Sequence, residues 1–463
     1  THVDSSAASD VYKRQYGKRS INVIHWINKI LDKREKMHLR LVKGAYWDYE
    51  IKHAQVFGYE DYPVYSKKSL TDISFLLCAK EILKNEKIYA KFATHNAHTI
   101  SSVHQLGQGK DYEFQRLYGM GELLYQSAEK VLNLEKKPSV YAPIGSYKDL
   151  LPYLVRRLLE NGANSSFINR LLDPETDANW LAENPAIRIE KEKIDIPLPK
   201  NIFTERKNSS GFDLSENSNL ENLEKSISAH KKNKINAESI YVNRDEKEKV
   251  GQKVYSIANN EEIGTAIFDD PTNVKSALEN FASEKWSKYS VQERSQILIK
   301  ISDDIEKDPS ELIFYLLNEA GKTIQNAIDE IREAIDFLRY YSRQIIEIHG
   351  KKSLQGPTGE INNISYSPKG NYLCISPWNF PVAILIGQIS AALACGNNVV
   401  VKPSENTSIL GYLIVKKFHE NGVPIETLQL ILGDGMYGDV LTKVNNIHGV
   451  AFTGSLPTAK KIQ

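Results

Sequence analysis

The chain has 463 residues, of which 41% are apolar and 25% are charged, and its formal net charge is +1. This length is sufficient for roughly three domains of average size, and the balanced charge argues against nucleic acid or an anionic membrane surface as a partner. Three widely spaced cysteines argue against a disulfide framework and favour a reducing compartment, and no cysteine or histidine spacing typical of a metal site occurs.

The first stretch of the chain, THVDSSAASDVYKRQ (1–15), carries no structural signal. It is polar, lacks an initiator methionine and shows neither hydrophobic periodicity nor an apolar signal core. We therefore predict a non-native or disordered segment at 1–15 and leave it out of the fold.

The region 16–172 alternates short strand-like runs with amphipathic helices. Such alternation predicts parallel strand pairing, and the polar or glycine-rich residues after each strand place a site at the carboxyl edge of a barrel. The predicted strands are LRLVKG (39–44), KFATHN (91–96), YEFQRL (112–117) and SVYAPIG (139–145), and TDISFLLCAKEILKN (71–85) is a representative helix.

Two of these strand ends carry side chains suited to a bound cofactor. Lys43 is followed by the aromatic residues Tyr46 and Trp47, and a cation with stacking rings could hold a flavin or a nucleotide. The same residues could equally form the packed rim of a barrel. His95 and Asn96 stand at the end of the next strand.

The stretch YLVRRLLENGANSSF (153–167) places Arg156, Arg157 and Glu160 on one face of a helix, because they are three and four residues apart. One interpretation is an amphipathic helix with a solvated salt-bridge face. The other is a carboxylate clamp, since two guanidinium groups can fix a small amino or imino acid through bidentate hydrogen bonds.

These strand-end residues, together with YAPIG (141–145) and the arginine pair, resemble in their order the proline dehydrogenase barrel, a distorted TIM barrel that binds FAD. The resemblance favours the clamp: it implies that Arg156 and Arg157 bind the carboxylate of proline, with Tyr141 against the ring and Leu117 as an apolar wall. The cofactor residues that the resemblance implies are Arg40, near the flavin N5 atom, and Trp47, Thr71, His95, Gln115 and Glu160.

The region 173–250 differs in composition, being rich in Pro, Ser, Asn and Lys. We predict an inter-domain linker with one short helix at about 218–230. A basic run at 230–235 has Glu-rich neighbours, so it does not indicate a nucleic-acid site.

The region 251–463 begins with two predicted long helices and continues as a βαβ series. Its strands are apolar without alternation, which is typical of a doubly wound sheet buried on both faces. The apolar run at 380–401 is interrupted by Pro, Gln, Ser and a Gly-Asn-Asn turn, and it is better explained by a helix, a turn and a buried strand than by a membrane span. The predicted helices are 291–306, 311–346, 382–394, 407–420 and 436–444, and the strands are NYLCIS, NVVVKP, LQLILG and GVAFTG.

Two strand-to-helix turns of this region suit a nucleotide. In FTGS, Gly454 and Ser455 at a helix N-terminus suit a phosphate, although a simple helix cap explains them equally. In KPSE, Lys402 and Glu405 could hydrogen-bond ribose hydroxyls, the alternative being a capped loop.

The PWNFP turn (377–381) presents Asn379 between two prolines, and a side-chain amide on a rigid turn can stabilise an oxyanion, although a structural turn is an equal alternative. PWNFP, KPSE and FTGS on successive turns resemble the aldehyde dehydrogenase superfamily. The resemblance implies that Asn379 stabilises the oxyanion, that Lys402 and Glu405 hold the adenosine ribose of NAD, and that Ser455 lies near its pyrophosphate.

Together the two resemblances imply an α/β chain: a partial (β/α)8 proline dehydrogenase barrel, a linker, and an aldehyde dehydrogenase-type Rossmann-like domain. They imply proline catabolism, with FAD-dependent oxidation of L-proline to 1-pyrroline-5-carboxylate and NAD-dependent oxidation of L-glutamate gamma-semialdehyde to glutamate. They also imply a cytoplasmic bacterial protein, with peripheral contact to the inner membrane for quinone reduction and homo-oligomer formation as open expectations. Two alternatives stay open: a non-catalytic scaffold or binding paralogue that retains both folds, and a trifunctional relative that also carries an N-terminal DNA-binding module.

Both implied sites are expected to be incomplete in this chain. The region 16–172 supplies about the second half of a barrel, and the chain stops before the general base and the nucleophilic cysteine of the second family. Cys78, Cys374 and Cys395 are expected to be small core residues rather than nucleophiles. We therefore expect the parent protein to catalyse both steps and this polypeptide alone to catalyse neither.

Overall fold

The computed structural model describes residues 17–31, 36–44, 47–162, 183–191, 196–244, 249–279, 281, 283–349 and 352–463. The chain forms two compact units. Unit 1 comprises Thr1–Val56 and Asp61–Leu198, and unit 2 comprises Phe57–Glu60 and Pro199–Gln463. The predicted segment at 1–15 lies outside the described residues.

Unit 1 contains a four-stranded parallel sheet in the order β1-β2-β3-β4, as the strand–helix alternation predicts. Its strands are β1 (Met37–Val42), β2 (Ile88–Ala93), β3 (Tyr112–Leu117) and β4 (Ser139–Tyr141). Its helices are α1 (Ser20–Leu31), α2 (Trp47–Phe57), α3 (Lys68–Lys84), α4 (Ala97–Leu106), α5 (Glu122–Leu132), α6 (Tyr147–Gly162) and α7 (Pro185–Lys191). The last strand is shorter than the predicted 139–145, since Pro143 has no N–H to donate to a sheet.

The two faces of this sheet differ in chemistry because side chains alternate along each strand. On one face Leu39, Leu41, Phe92 and Phe114 are buried in a core with residues of α1, α3, α4 and α5. The opposite face, which we call the polar face, carries Arg40, Lys91, Glu113, Gln115, Leu117 and Tyr141. A parallel sheet with helices on one face and candidate site residues on the other is the arrangement of a partial (β/α) barrel.

Unit 2 contains a four-stranded parallel sheet in the order β12-β11-β10-β13. The chain moves outward from β10 to β11 and β12 and then returns to the other side of β10, which is Rossmann-like topology. Every residue of β11 is buried, as the run of valines predicts. These strands are β10 (Asn371–Ile375), β11 (Asn398–Lys402), β12 (Leu428–Leu430) and β13 (Gly449–Phe452).

A second sheet of unit 2, in the order β5-β7-β6, and a short hairpin formed by β8 and β9 were not predicted. Their strands are β5 (Ile235–Glu238), β6 (Lys249–Tyr255), β7 (Glu262–Asp269), β8 (Lys352–Leu354) and β9 (Asn362–Ile364). The helices of the unit are α8 (Asn217–Ser228), α9 (Pro271–Glu279), α10 (Val291–Lys307), α11 (Ser310–Asn318), α12 (Ile324–His349), α13 (Ala383–Ala394), α14 (Ser408–Glu420), α15 (Gly435–Thr442) and α16 (Leu456–Ile462).

The predicted long helix at 311–346 is wrong: two helices, α11 and α12, occupy this stretch. Gly321 lies between them with φ +66°, a conformation that breaks a right-handed helix and that side-chain-bearing residues rarely adopt. The buried carboxylate of Glu319 accepts the backbone N–H groups of Ile409 and Leu410, at 2.8 and 2.9 Å, and so caps the start of α14.

Much of the stretch predicted as a linker, 173–250, packs into unit 2 in the part of it that the structure describes. Helix α8 lies where a short helix was predicted, and its Leu223 and Ile227 are buried in the main core of the unit. Strand β5 pairs in parallel with β7. The compact units divide at Leu198 and Pro199, and the predicted domain boundaries beyond that stay predictions.

Helix α13 follows the PWNFP turn and is apolar at most positions. Its carboxyl end receives two side-chain donors: Trp286 Nε1 donates to the carbonyl oxygen of Leu393 at 2.8 Å, and Arg294 Nε donates to that of Ala394 at 3.0 Å. These bonds satisfy carbonyl groups that have no partner within the helix. Among the described residues no helix is long and apolar enough to span a membrane, and the apolar run at 380–401 forms α13, a turn and β11 as predicted.

The cysteine predictions are confirmed at two positions and wrong at the third. Cys78 and Cys374 are fully buried, and burial raises the pKa of Cys78 to about 11 and that of Cys374 to about 12. Cys395 is exposed, because it follows the last turn of α13 instead of lying within the helix.

Candidate active sites

The polar face of unit 1 brings together four of the predicted site residues. Arg40 Nε donates to Gln115 Oε1 at 2.8 Å, and the Arg40 guanidinium lies 4.6 Å from the centroid of the Tyr141 ring. Leu117 pairs with Tyr141 in the register of β3 and β4 and is buried. A cation, an amide, an aromatic ring and an apolar wall therefore converge at the carboxyl end of the sheet.

His95 lies beside this cluster, just beyond the end of β2. Its Nε2 accepts the backbone N–H of Leu117 at 3.3 Å, which requires that this nitrogen carry no proton. A Cβ on Gly121 would approach His95 Cδ2 to 2.7 Å, so the ring packs closely against this backbone. Asn96 has a structural task here, since its Oδ1 accepts the N–H of Thr99 at 3.0 Å and caps α4.

Lys43 turns toward the helices that follow β1 and β2. Its Nζ is ion-paired with the buried carboxylate of Asp72 and donates to Thr99 Oγ1 at 3.0 Å. Arg188 on α7 approaches the same carboxylate at 3.6 Å. Burial, followed by the charge of Arg188, lowers the pKa of the nearby His98. Lys43 is thus part of a charged cluster that also anchors α7.

Trp47 and Thr71 stand at the starts of two helices of unit 1. Trp47 begins α2, and its indole Nε1 donates to the carbonyl oxygen of Tyr65 at 2.8 Å, which fixes the orientation of the ring. Thr71 is buried in the first turn of α3. Arg156, Arg157 and Glu160 lie on α6, as their spacing predicts, but their side chains are outside the described residues.

In unit 2 the predicted site residues follow the carboxyl ends of β10, β11 and β13. Gln388 on α13 ties two of these ends together, because its Nε2 donates to the Ile375 carbonyl at 3.2 Å and to Thr453 Oγ1 at 3.1 Å. The strand order changes direction between β10 and β13. Ligands of open α/β sheets bind in the crevice at such a switch point.

Lys402 ends β11 and is only 5% exposed. Its Nζ donates to the carbonyl oxygen of Pro403 at 3.0 Å and lies 3.9 Å from Glu405 Oε2. Burial lowers the pKa of Lys402, while the charges of Glu405 and Asp434 oppose this shift. A buried ammonium beside a half-exposed carboxylate supplies both a donor and an acceptor, which vicinal hydroxyl groups require.

Gly454 and Ser455 form the turn between β13 and α16. Ser455 Oγ accepts the N–H of Thr458 at 3.4 Å, so the residue caps this seven-residue helix as the alternative interpretation expected. A Cβ on Gly454 would lie 2.6 Å from the Phe452 ring, so a larger residue would collide there.

Asn379 lies on the turn that joins β10 to α13 and is exposed, as are its neighbours Trp378 and Phe380. Its side chain makes no hydrogen bond to any residue that the structure describes. An exposed amide at the end of an inner strand is compatible with an oxyanion donor.

The profile of the proline dehydrogenase family matches residues 11–170, and that of the aldehyde dehydrogenase family matches residues 241–463. The chain is 39% identical to the bifunctional protein PutA of Salmonella typhimurium, over 97% of its own length and 35% of the relative. The chain is thus similar to PutA over almost its whole length. A match to the proline dehydrogenase family is followed by a match to the aldehyde dehydrogenase family, in the order that the sequence motifs predict.

Two further comparisons agree with this similarity. A crystal structure of a mutant of Bradyrhizobium japonicum proline utilization A (PutA) superposes with a TM-score of 0.84 at 37% identity, covering 97% of this chain and 44% of that one. The 1-pyrroline-5-carboxylate dehydrogenase of Staphylococcus epidermidis is 34% identical over 43% of this chain and 39% of its own length. The chain spans about a third of the length of the curated PutA relatives it matches.

The two families imply a flavin in the first region of this chain and a nicotinamide cofactor in the second. The structure fits both groups. Arg40 and the Tyr141 ring offer donors and a flat surface to a planar, hydrogen-bonding ring system, and Lys402 with Glu405 offers charges to a ribose.

Three residues near the sites were missed by the sequence interpretation. Gln388 connects two strand ends, and Glu330 and Lys322 lie behind the turn that carries Asn379. Glu330 had a visible signal, since it falls on the buried face of α12 among apolar residues at helical spacing. The other two had none, because glutamine and lysine are common on helix surfaces and in loops.

Proposed function

We propose that the protein containing this chain oxidises L-proline to 1-pyrroline-5-carboxylate with FAD, and oxidises L-glutamate gamma-semialdehyde to glutamate with NAD. The observation that carries the proposal is the convergence of Arg40, Gln115, Leu117 and Tyr141 on one face of a proline dehydrogenase-type sheet. The second activity is supported by the aldehyde dehydrogenase match and by the motif residues around the switch point of the Rossmann-like sheet.

In the first reaction the task of the protein is positioning. The chemistry that the cofactors supply when bound is acceptance of a hydride, at FAD from a ring carbon of proline and at NAD from the aldehyde carbon. Arg156 and Arg157 hold the substrate carboxylate, while Tyr141 and Leu117 confine the ring. In this proposal the flavin is contacted by Arg40 and by seven further residues: Lys43, Trp47, Thr71, His95, Asn96, Gln115 and Glu160.

In the second reaction the cyclic imine takes up water and opens to the semialdehyde, which then loses a hydride and gains an oxygen from water to become a carboxylate. Asn379 stabilises the negative charge that develops on the aldehyde oxygen. Lys402 and Glu405 hold the adenosine ribose, and Gly454 and Ser455 lie against the pyrophosphate. A cytoplasmic location, peripheral membrane contact, homo-oligomer formation and inactivity of the chain by itself stay predictions.

The test uses the protein expressed from its complete gene, with flavin absorbance followed under anaerobic conditions. Addition of proline is expected to bleach the flavin. Arg156→Met and Arg157→Met are each expected to raise the KM for proline at least tenfold while the flavin stays bound, since a charged hydrogen bond contributes about 1.5–3 kcal/mol. Lys148→Met removes an exposed cation from the same helix and serves as the matched control. Flavin-loaded protein that proline fails to bleach would overturn the first activity.

The second activity is tested in the same preparation by the appearance of NADH when glutamate semialdehyde is added. Asn379→Ala is expected to lower kcat about 100-fold or more, as does loss of an oxyanion donor elsewhere, while the KM for NAD changes little. A protein that binds NAD and forms no NADH would contradict the proposal.

A further inference from the structure

The turn that presents Asn379 is held from behind by a buried carboxylate of another helix. Glu330 on α12 is only 1% exposed, and its Oε1 accepts the backbone N–H groups of Val382 and Ala383, at 2.8 and 3.2 Å. These are the first free donors of α13, where the helix dipole also favours a negative charge. The carboxylate therefore fixes the point at which the turn ends and the helix begins.

A cation completes this arrangement from the loop between α11 and α12. Lys322 is ion-paired with Glu330 through Oε2, and its Nζ lies 3.8 Å from the centroid of the Phe380 ring. An ammonium over an aromatic face is attracted to it, most strongly where water is excluded, and the Lys322 side chain is only 11% exposed. Phe380 directly follows Asn379, so the cation fixes the residue next to the amide.

We propose that Glu330 and Lys322 are positioning residues for Asn379. Glu330 fixes the peptide groups on the helix side of the turn, and Lys322 fixes the Phe380 ring and neutralises the carboxylate. A donor stabilises an oxyanion only if it is aimed before the charge develops, because reorientation during the reaction would consume the stabilisation. Asn379 and its neighbours Trp378 and Phe380 are exposed to solvent. The contacts that Glu330 and Lys322 make with the turn therefore set the direction of the amide. The inference rests on the oxyanion role of Asn379 proposed above.

The test is a double-mutant cycle in the protein expressed from its complete gene, with kcat for semialdehyde oxidation and the KM for NAD as readouts. Lys322→Met and Glu330→Gln are each expected to lower kcat about tenfold, with the KM for NAD unchanged within about twofold. In an Asn379→Ala background the same substitutions are expected to change kcat by less than about twofold, because no amide remains to be misdirected. Lys322→Arg keeps a cation at the ring and is expected to restore most of kcat.

Glu319→Gln is the matched control, since Glu319 is another buried glutamate that accepts two N–H groups at a helix start. Whatever effect it has on kcat is expected to persist unchanged in the Asn379→Ala background. If Glu330→Gln does not fold, Lys322→Met and Lys322→Arg carry the cycle by themselves.

Two different results would overturn the inference. If Lys322→Met keeps its full effect in the Asn379→Ala background, the ion pair acts by a route other than Asn379, although the proposed function stands. If Asn379→Ala leaves kcat unchanged, the oxyanion role fails, and the positioning role fails with it.

Discussion

The guanidinium of Arg40 on β1 reaches past β2 to Gln115 on β3, where its Nε donates to Oε1 over 2.8 Å. The amide of Gln115 is itself oriented, because its Nε2 donates to Glu113 Oε1 at 2.9 Å. Lys91 lies 3.8 Å from the same glutamate. The direction of Arg40 on the polar face is therefore set by a chain of side chains on three strands.

This relationship makes Gln115 a sensitive position. Gln115→Leu keeps the size of the side chain but removes the acceptor of Arg40 and the donor to Glu113, so we expect flavin affinity to fall roughly tenfold, or about 1.4 kcal/mol. The measurement is flavin binding to the apoprotein by fluorescence quenching. Lys136→Met removes a cation from the exposed pair with Asp111 and should leave the affinity unchanged, since exposed ion pairs contribute little. Equal flavin affinity in the Gln115 variant and the parent would contradict the expectation.

Lys402 is expected to contribute to NAD binding rather than to the chemical step. Lys402→Met should raise the KM for NAD roughly 10- to 100-fold with kcat nearly constant, because the ribose contact is equally present in the ground and transition states. Steady-state kinetics at varied NAD concentration measure both constants. Lys443→Met, which disrupts an exposed ion pair with Asp439, is the control. A fall in kcat at an unchanged KM would argue for a role in catalysis instead.

The buried carboxyl group of Glu319 makes the stability of unit 2 dependent on pH. Burial raises the pKa of Glu319 to about 8, whereas an unfolded glutamate titrates near 4.5. The folded state thus binds the proton more tightly than the unfolded state does. The stability that this proton binding contributes is fully present below about pH 4.5 and is lost as the pH rises through about 8. Relative to Glu319→Gln, we expect the free energy of unfolding of the parent to fall between pH 5 and 8.5.

The effect is at most about 5 kcal/mol, since the pKa differs between 4.5 and about 8 and one pKa unit corresponds to about 1.4 kcal/mol. Urea unfolding at several pH values measures it, followed by tryptophan fluorescence, to which Trp286, fully buried in unit 2, contributes. Parallel pH profiles for the parent and the glutamine variant would show that Glu319 titrates normally.

The three cysteines should differ in their reaction with a maleimide. Cys395 is exposed, whereas Cys78 and Cys374 are buried, and burial raises the pKa of these two thiols. We expect Cys395 to be labelled in the native protein at mildly alkaline pH, and the other two only after denaturation. Peptide mass mapping after timed labelling distinguishes them. Native labelling of Cys374 at the rate of Cys395 would be inconsistent with its place in β10.

The strands of the two four-stranded parallel sheets were predictable from the sequence because each joins a short apolar run to a polar or glycine-containing end. The boundaries of β3 coincide with the predicted YEFQRL, and the parallel pairing followed from the helices between the strands. The break between α11 and α12 was not predictable, because apolar residues recur at helical spacing on both sides of Gly321. Next to this break Glu319 accepts the backbone N–H of Ile409, and the two residues are distant in the sequence.

For the candidate sites too, local motifs were predictable from the sequence and contacts between distant residues were not. Motifs such as KPSE and PWNFP are local, so their residues could be named as candidates from the sequence, and the structure places them at neighbouring strand ends. The supports of those residues are not local: Glu330 meets Val382 across 52 positions of the chain. A single sequence shows that a carboxylate is buried in α12 but does not show which backbone groups it accepts.

Helix α13 has charged partners at both ends, Glu330 at its first turn and Arg294 at its last carbonyl. Between them its side chains are apolar apart from Gln388 and Ser390. A slip by one residue would separate both buried charges from their partners, which costs several kcal/mol for each. The contacts at the two ends therefore fix the register of the helix. Substitutions among its apolar residues should be tolerated far better than any insertion or deletion between Val382 and Cys395.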